Sequence, residues 1–210
     1  MLISHDEIKN ILLLNNIKID GILHVGAHNC EELSFYNELG IQNTDIIWVD
    51  AITKKVYEAN QKLIPNVYNA LITDKDDEDV IFNVANNFQS SSVLDFGTHS
   101  QEHPDVVYLW KVPKKTITIN SFFDRNNIDA SKYNFWNFDI QGAELLALKG
   151  ATKYIQYVKA IYLEVNEKEL YKNCGLIEDI DIFLSKYNFN RVKTVMNEHG
   201  WGEALYILDK

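Results

Sequence analysis

The sequence has little cysteine, proline and glycine, and it has no long hydrophobic run. Its 210 residues include 2 cysteines, 3 prolines and 9 glycines. Cys30 and Cys174 are too few for the disulfide framework of a small secreted domain, and no signal-peptide pattern precedes them. The apolar run at residues 11–14 is too short for a signal peptide or a transmembrane helix. These shortages predict a soluble protein of a reducing compartment, the cytoplasm.

Basic residues are scarce relative to acidic ones. The chain has 20 Lys and Arg against 30 Asp and Glu, which gives a formal net charge of −10. Non-specific nucleic-acid binding draws its affinity from neutralised phosphates, so this charge argues against a nucleic-acid partner. The sequence also contains no Lys/Arg block or basic amphipathic helix, so we expect no membrane attachment or insertion.

The chain does have enough apolar residues for one full core. Hydrophobic residues make up 46% of the sequence and aromatic residues 12%. At roughly 100–200 residues per domain, this length predicts a single domain spanning residues 1–210. Residues 1–17 contribute an N-terminal helix to it, because Ser4 and Glu7 form a capping-box pattern ahead of apolar residues.

Short apolar runs alternate with helical patterns in the first third of the chain. This alternation predicts a parallel sheet covered by helices on both faces. The predicted strands are 19–25, 45–49 and 67–73, and the predicted helices are 4–16, 31–39 and 53–63.

The same alternation returns in the second half. The predicted strands are 135–138 and 160–165, and the predicted helices are 143–149 and 177–186. The last two strands, 189–195 and 204–208, are too close in sequence for a crossover helix and must form an antiparallel hairpin. A mostly parallel sheet with one reversed edge strand resembles the class I methyltransferase arrangement, whereas a plain dinucleotide-binding sheet is parallel throughout.

A polar stretch without clear periodicity, residues 86–113, interrupts the alternation. It separates predicted strands at 80–84 and 115–119, and a short helix is predicted at 121–126. Loops this long inside a compact domain are usually functional. We therefore expect this insertion to cross the carboxyl ends of the strands and to form part of a binding pocket.

The turn after the first strand, in HVGAHNCEE, is a candidate ligand site. Gly26 lets a ligand approach the backbone closely, and the following helix start favours negative charge. A dinucleotide fingerprint requires further glycines, but Ala27 and His28 follow instead. The turn therefore favours a smaller anionic group, such as an amino-acid carboxylate, over a pyrophosphate. A plain turn between strand and helix is the alternative.

Four carboxylates lie at or near strand ends. Asp50 follows DIIWV at a spacing of roughly 20 residues from the glycine turn, and an acid at this spacing binds the ribose hydroxyls in sheets of this kind. A role as a helix cap or as a surface residue is also open. Asp139 ends a buried strand, where ligands meet an open α/β sheet. Glu164 lies within the apolar run IYLEV and must be paired or face a cleft. Glu144 has an ordinary explanation as a cap in the first turn of a helix.

The chain resembles the FkbM family of S-adenosylmethionine-dependent methyltransferases across residues 22–208. The segments that carry the resemblance are ILHVGAHNCEE, IIWVDA, QSSSVLD, FWNFDIQGAELLALKGA, IYLEVNEKELY and GWGEALYIL. The most specific is DIQGAEL followed by LKGA. The resemblance implies a class I fold, S-adenosylmethionine as cofactor, and methyl transfer, often to an oxygen of a saccharide or another hydroxylated small molecule.

The resemblance also implies roles for individual residues. Gly26, Ala27 and His28 would approach the methionine part of the cofactor. Asp50 would meet its ribose, and Asp139 would lie near the reacting centre.

Two positions depart from the family pattern. The family usually has an acid where His24 stands and often a glycine where Cys30 stands. Both positions lie near the methionine end of the expected cofactor site.

We therefore predict an O-methyltransferase that acts on a glycan or another small molecule. The candidate bases are Asp139, Glu164 and His99, because the acceptor hydroxyl must lose its proton. In the long loop, Ser91 and Ser92 are the candidate acceptor-binding residues.

Three alternatives stay open. A metal-dependent variant would use the oxygens of Asp139, Glu164 and Asn166 for Mg²⁺, although the main prediction includes no metal and no histidine pair has zinc-ligand spacing with the cysteines. A nicotinamide oxidoreductase is disfavoured by the missing glycines and the terminal hairpin. An inactive binding module on the same fold is the third alternative.

Overall fold

A seven-stranded sheet forms the centre of the protein. A smaller three-stranded sheet lies beside it. The computed structural model describes residues 1–209. The strands are β1 (Ile22–Val25), β2 (Ile46–Asp50), β3 (Val67–Asn69), β4 (Leu71–Ile72), β5 (Asp79–Ala85), β6 (Tyr108–Ile117), β7 (Phe135–Phe138), β8 (Ala160–Asn166), β9 (Phe189–Met196) and β10 (Trp201–Leu208).

Helices precede or connect most of these strands, whereas β3, β4 and β5 follow one another directly, as do β9 and β10. The helices are α1 (His5–Leu14), α2 (Leu33–Glu38), α3 (Thr53–Gln61), α4 (His99–Glu102), α5 (Ile119–Arg125), α6 (Glu144–Lys149) and α7 (Ile177–Ser185). The capping box predicted for α1 is present, with Ser4 and Glu7 exchanging hydrogen bonds. Within residues 1–209, no helix has the length and apolar character needed to cross a bilayer.

The strand order in the large sheet is β3-β2-β1-β7-β8-β10-β9. Strands β1, β2, β3, β7 and β8 pair in parallel, and β10 runs antiparallel to both β8 and β9. The chain leaves β1 toward one edge and returns to its other side at β7, so the strand order switches between these two strands. This topology confirms the class I methyltransferase fold, including the antiparallel C-terminal hairpin.

Helices pack on both faces of the large sheet, as predicted. Alternate residues of β1 enter different apolar clusters, because successive side chains point to opposite faces of a strand. Leu23 lies in the cluster with Phe122 and Leu148, from α5 and α6. Ile22 lies in the cluster with Ile8 and Phe35, from α1 and α2.

Two predicted segments differ from the structure. The apolar run 67–73 is divided between β3, in the large sheet, and β4, which pairs with β6 in the small one. Strand β6 begins at Tyr108, so the irregular insertion ends at residue 107 rather than 113. Pro113 obscures this strand in the sequence, and it is tolerated because β4 borders β6 only at Thr116 and Ile117.

Candidate functional site

Two cavities lie at the carboxyl ends of the central strands. The first has a volume of about 300 Å³ and is bordered by residues at the ends of β1, β2 and β7. The second has a volume of about 330 Å³ and is bordered by the ends of β7 and β8 together with the insertion. Asp139 and Gln89 border both cavities. Open α/β sheets bind ligands at this end, where the strand order switches.

The turn after β1 lies close to two neighbouring strands. The backbone N–H groups of Gly26 and Ala27 both donate to the carbonyl of Val49, at 2.8 and 3.0 Å. Gly26 has φ +94°, and a Cβ at this position would collide with the backbone carbonyl of Asp139. Only glycine fits here, because the turn needs both the left-handed conformation and the close approach.

Asp50 joins the end of β2 to this turn and borders the first cavity. Its Oδ1 accepts the backbone N–H of Ile52 at 2.6 Å, and its Oδ2 accepts that of His28 at 2.7 Å. The residue is 7% exposed. Burial raises the pKa of Asp50, and the two backbone N–H groups oppose this rise.

Apolar side chains form the outer wall of the first cavity. They come from the start of α3, from the small sheet and from the insertion, and they are Ile52, Leu71, Ile72, Phe82, Phe88 and Val93. The ammonium groups of Lys54 and Lys55 lie 4.9 and 5.2 Å from the centre of the Phe88 ring. Such cation–π contacts hold the ring in place at the rim of the cavity.

A buried neutral network lies beneath the turn. Asn137 donates to the hydroxyl oxygen of Tyr36 at 2.7 Å, and this hydroxyl lies 2.8 Å from Nδ1 of His24. Because the Tyr36 oxygen already accepts, its own proton points to His24. Burial lowers the pKa of His24 to about 4, so the imidazole is neutral at pH 7.

The second departure from the family, Cys30, also has a physical explanation. Cys30 has φ +58°, in the region that favours glycine, which accounts for the glycine often found there. Its thiol is buried, and burial raises the pKa of Cys30 to about 12. The thiol is therefore protonated and unreactive at neutral pH.

Asp139 and Glu164 come together on the floor of the second cavity. The side-chain amide of Gln141 donates to Asp139 Oδ1 at 2.7 Å and to Glu164 Oε2 at 2.6 Å. Glu164 is 8% exposed. Burial, followed by the negative charges of Asp139 and Glu144, raises the pKa of Glu164 well above its ordinary value.

Glu144 lies beneath this floor rather than acting as a helix cap. Ala143 occupies the N-cap position of α6, and Glu144 Oε1 accepts the backbone N–H of Ile140 at 2.8 Å. It is 1% exposed and borders neither cavity. Burial is the main cause that raises the pKa of Glu144 to about 8. The carboxyl group therefore holds the DIQGAE turn together from inside.

His99 lies in the insertion, on α4, and borders the second cavity. Its ring stacks on Phe96 with centroids 4.3 Å apart. It is 4% exposed, and its Nδ1 has no hydrogen-bond partner within residues 1–209. Burial lowers the pKa of His99 to about 4, which makes it a weak base at neutral pH.

The serines of the insertion are divided between the two cavities. Ser91 borders the first cavity, and its hydroxyl accepts the backbone N–H of Ala85 at 3.0 Å. Ser92 borders neither cavity, because its hydroxyl donates to the backbone carbonyl of Gln141 at 2.8 Å. Ser90 borders the second cavity instead.

The structure thus separates the residues singled out in the sequence into two groups. The first cavity is bordered by Gly26, His28, Asp50 and Ser91, and the second by Glu164 and His99. Asp139 borders both cavities, whereas Ala27 and Ser92 border neither.

Several residues that border the second cavity escaped the sequence reasoning. They are Gln141, Tyr171 and Glu203. Gln141 belongs to the most specific segment, DIQGAEL, and that position was the available signal. Glu203 carries no local signal, because it reaches the site only through the pairing of β10 with β8, where it lies opposite Glu164.

Of the residues proposed for a metal variant, Asp139 and Glu164 lie together at the second cavity. Among residues 1–209, no group of three or more His, Cys, Asp and Glu side chains is arranged to hold a metal ion. Asn166 is fully buried and borders neither cavity.

The sheet topology and the paired cavities together define a protein of the class I methyltransferase type. The family model described as the Methyltransferase FkbM domain matches residues 24–191, and the chain belongs to this family. No curated protein matches the chain.

Two solved structures are similar in outline to this chain. Magnesium protoporphyrin IX methyltransferase from Synechocystis PCC 6803, with bound SAM, is 11% identical, with a TM-score of 0.42 over 98% of this chain and 78% of that one. A SAM dependent methyltransferase from Aquifex aeolicus is 12% identical, with a TM-score of 0.42 over 98% of this chain and 99% of that one.

Proposed function

We propose that the protein is an S-adenosylmethionine-dependent methyltransferase that methylates a hydroxyl oxygen of a saccharide or another small molecule. The observation that carries the proposal is the pair of cavities that share Asp139. One cavity has the groups that a charged nucleoside cofactor needs. The other has carboxyl groups that can take a proton from an acceptor.

The first cavity fits S-adenosylmethionine by the chemistry of its walls. Asp50 presents a buried carboxylate that suits the two ribose hydroxyls, and the apolar wall suits an adenine ring. Glu31 and Glu32 also border this cavity. Their negative charge suits the sulfonium and ammonium groups.

Glu32 can supply the acid that the family usually has at position 24. Its Oε2 lies 3.9 Å from Nδ1 of His24. His24 is neutral, so it cannot replace the charge of the missing carboxylate. We therefore assign the contact with the cofactor's ammonium group to Glu32 rather than to His24.

The second cavity offers two kinds of contact to an acceptor. Asn87, Gln89 and Ser90 contribute hydrogen-bonding groups to its lining, and Tyr171 and Trp201 contribute aromatic rings. Polar groups together with flat apolar surfaces suit a hydroxylated ring. This match supports a saccharide or a similar polyol as the acceptor.

When bound, S-adenosylmethionine supplies an activated methyl group. The chain must orient the acceptor oxygen and take its proton. Asp139 is suited to receive this proton, because it borders both cavities and lies beside the amide of Gln141. Glu164 lies next to it, and its raised pKa makes it a proton-holding partner rather than a second free base.

Two measurements test the proposal in sequence. Calorimetry with S-adenosylmethionine, with NADH as a parallel ligand, tests the cofactor. A product screen with a methyl-labelled donor against sugars, glycans, lipids and phenols then tests the reaction. We expect cofactor binding and a labelled ether product. Binding of NADH alone would indicate an oxidoreductase, and binding of S-adenosylmethionine without any labelled product would indicate an inactive module.

A further inference from the structure

We propose that Asp139 and Glu164 share a single proton and that Gln141, oriented by Tyr171, is the positioning residue that holds the two acids together and keeps one of them ionised. One consequence rests on the proposed function, namely that Asp139 is the carboxylate left free to take the acceptor's proton. The proton sharing itself concerns only this chain's own residues.

The orientation of the Gln141 amide follows from its partner. The hydroxyl of Tyr171 donates to Gln141 Oε1 at 2.5 Å. Burial, reinforced by the nearby carboxylates, raises the pKa of Tyr171, so its hydroxyl remains a donor. The amide oxygen must face this donor, and the amide nitrogen therefore faces the two carboxyl groups.

One amide nitrogen then serves two acids. Its two hydrogens are directed to Asp139 Oδ1 and Glu164 Oε2. Glu164 is buried and Asp139 is exposed, and because one amide nitrogen holds both acids, their negative charges repel when both ionise. Burial of Glu164 and the neighbouring charge of Asp139 raise the pKa of Glu164. The pair therefore carries one proton and one negative charge, with the proton on Glu164.

The backbone holds Gln141 in this position. Gln141 has φ +57°, a left-handed conformation that is unfavourable for a residue with a side chain. Ser92 donates to its carbonyl at 2.8 Å. A Cβ on the following residue, Gly142, would come within 2.9 Å of the Tyr171 Cβ. The strained turn is thus clamped against the residue that orients the amide.

Several other titratable groups surround the pair. The charge of Glu144 contributes to the raised pKa of Glu164. The pair and Tyr108 in turn contribute to the raised pKa of Tyr171. The remaining titratable groups of the second cavity are His99, His103, Glu203 and the α-amino group of Met1. None of these donates to both acids, which leaves Gln141 as the link between them in the described part of the chain.

The shared proton fits the direction of the proposed reaction. The bound cofactor would supply the methyl group and lose its positive charge, and Asp139 would take the hydroxyl proton of the acceptor. The pair then holds two protons and no charge, so the total charge is conserved. Gln141 keeps one carboxylate ionised before this step by donating to its charged form.

Carboxyl ¹³C NMR titration of the full chain, labelled at Asp and Glu and without cofactor or acceptor, tests the proton sharing. In the natural protein, we expect two coupled steps for the pair, with one proton retained through neutral pH. Gln141→Met removes both amide N–H donors at similar side-chain volume. It should raise the lower of the pair's two titration midpoints by about one pH unit. Tyr171→Phe should move it in the same direction by less, because it only frees the amide to rotate.

Matched controls and contrary outcomes are available. Gln156→Met and Tyr154→Phe alter the same side-chain types outside both cavities and should leave the pair's midpoints unchanged. Independent titration of Asp139 and Glu164 near ordinary values would overturn the proposal, and so would unchanged midpoints in folded Gln141→Met. If that variant does not fold, Tyr171→Phe decides by the same criterion. Absence of methyl transfer would leave this titration result intact.

Discussion

The backbone N–H of His28 donates to Asp50 Oδ2 at 2.7 Å, so one carboxylate joins the turn after β1 to the end of β2. The same carboxylate borders the first cavity. Local structure depends on this side chain, and so does cofactor binding if the proposed function holds. Its burial and its two backbone hydrogen bonds indicate that loss of this side chain would also affect folding.

Asp50→Ala should weaken binding of S-adenosylmethionine by about 1–3 kcal/mol, because ribose hydroxyls and backbone N–H groups lose their acceptor. It should also lower the free energy of unfolding. Calorimetry and chemical denaturation measure the two effects separately. Asp50→Asn, which keeps one acceptor oxygen, should show smaller losses. Unchanged affinity in Asp50→Ala would remove Asp50 from the cofactor site.

Asp139→Asn and Glu164→Gln should keep the fold and the cofactor affinity. At least one should lower turnover by ~10²–10⁴, the usual cost of losing a general base. Initial rates on the acceptor found in the product screen provide the measurement. Glu167→Gln, at an exposed position just beyond β8, is the control and should retain full activity. Full activity in both site variants would place the proton transfer elsewhere.

Glu144→Gln should change the pH dependence of stability and leave activity intact. Burial raises the folded-state pKa of Glu144 from 4.5 to about 8, so the folded protein keeps a proton that the unfolded chain releases. The contribution of Glu144 to stability is therefore present below pH 4.5 and is lost as pH rises to about 8.

Denaturation at several pH values between 4.5 and 8 tests this prediction. The variant should lose less stability than the natural protein over this range, since glutamine does not titrate. Glu178→Gln, exposed at the start of α7, is the matched control. A variant whose stability falls with pH as steeply as that of the natural protein would contradict the prediction.

His99→Phe should reduce the loss of stability in acid. Burial lowers the folded-state pKa of His99 from 6.5 to about 4. The unfolded chain therefore binds a proton first, and stability present above pH 6.5 is lost as pH falls toward 4. Phenylalanine keeps the stacking on Phe96 and removes the titrating group. The free energies of unfolding of the natural protein and of His99→Phe, measured at pH 7 and at pH 4.5, check this prediction. The same loss of stability between the two pH values in both proteins would refute it.

Acceptors with a phosphate group should bind more weakly than their neutral counterparts. Within residues 1–209, the second cavity is lined by no Lys or Arg; its charged groups are the carboxylates of Asp139 and Glu203 and the α-ammonium group of Met1, which lies 3.8 Å from Glu203, and Glu164 holds the shared proton. Each anionic contact near a protein surface costs on the order of 1 kcal/mol or more. Competition between a sugar and its phosphate ester measures the difference. Glu203→Gln should reduce the difference in affinity between the sugar and its phosphate ester. Tighter binding of the ester than of the sugar would contradict the prediction.

Much of the fold was readable from the sequence because its signals are local. Apolar runs that end in Gly26, Asp50 and Asp139 marked strands of the parallel sheet, and the short connection between the last two strands required a hairpin. The ends of parallel strands lie at one edge of a sheet, so these residues were expected near one another. Only local spacing and this general rule were needed.

Tertiary structure decided the features that depend on distant segments. A continuous run at 67–73 contains no signal for its division between two sheets, because both halves satisfy the same strand pattern. Ser92 faces Gln141 rather than an acceptor, since the path of the insertion determines where that hydroxyl points.

The proton arrangement of the site was likewise decided in three dimensions. Asp139 and Glu164 were recognisable as strand-end acids, and Gln141 stood in a recognisable motif. Their connection through one amide, with Tyr171 behind it, requires β7, β8 and the segment after β8 to be packed together. Burial and neighbouring charge, which raise the pKa of Glu164, arise only from that packing.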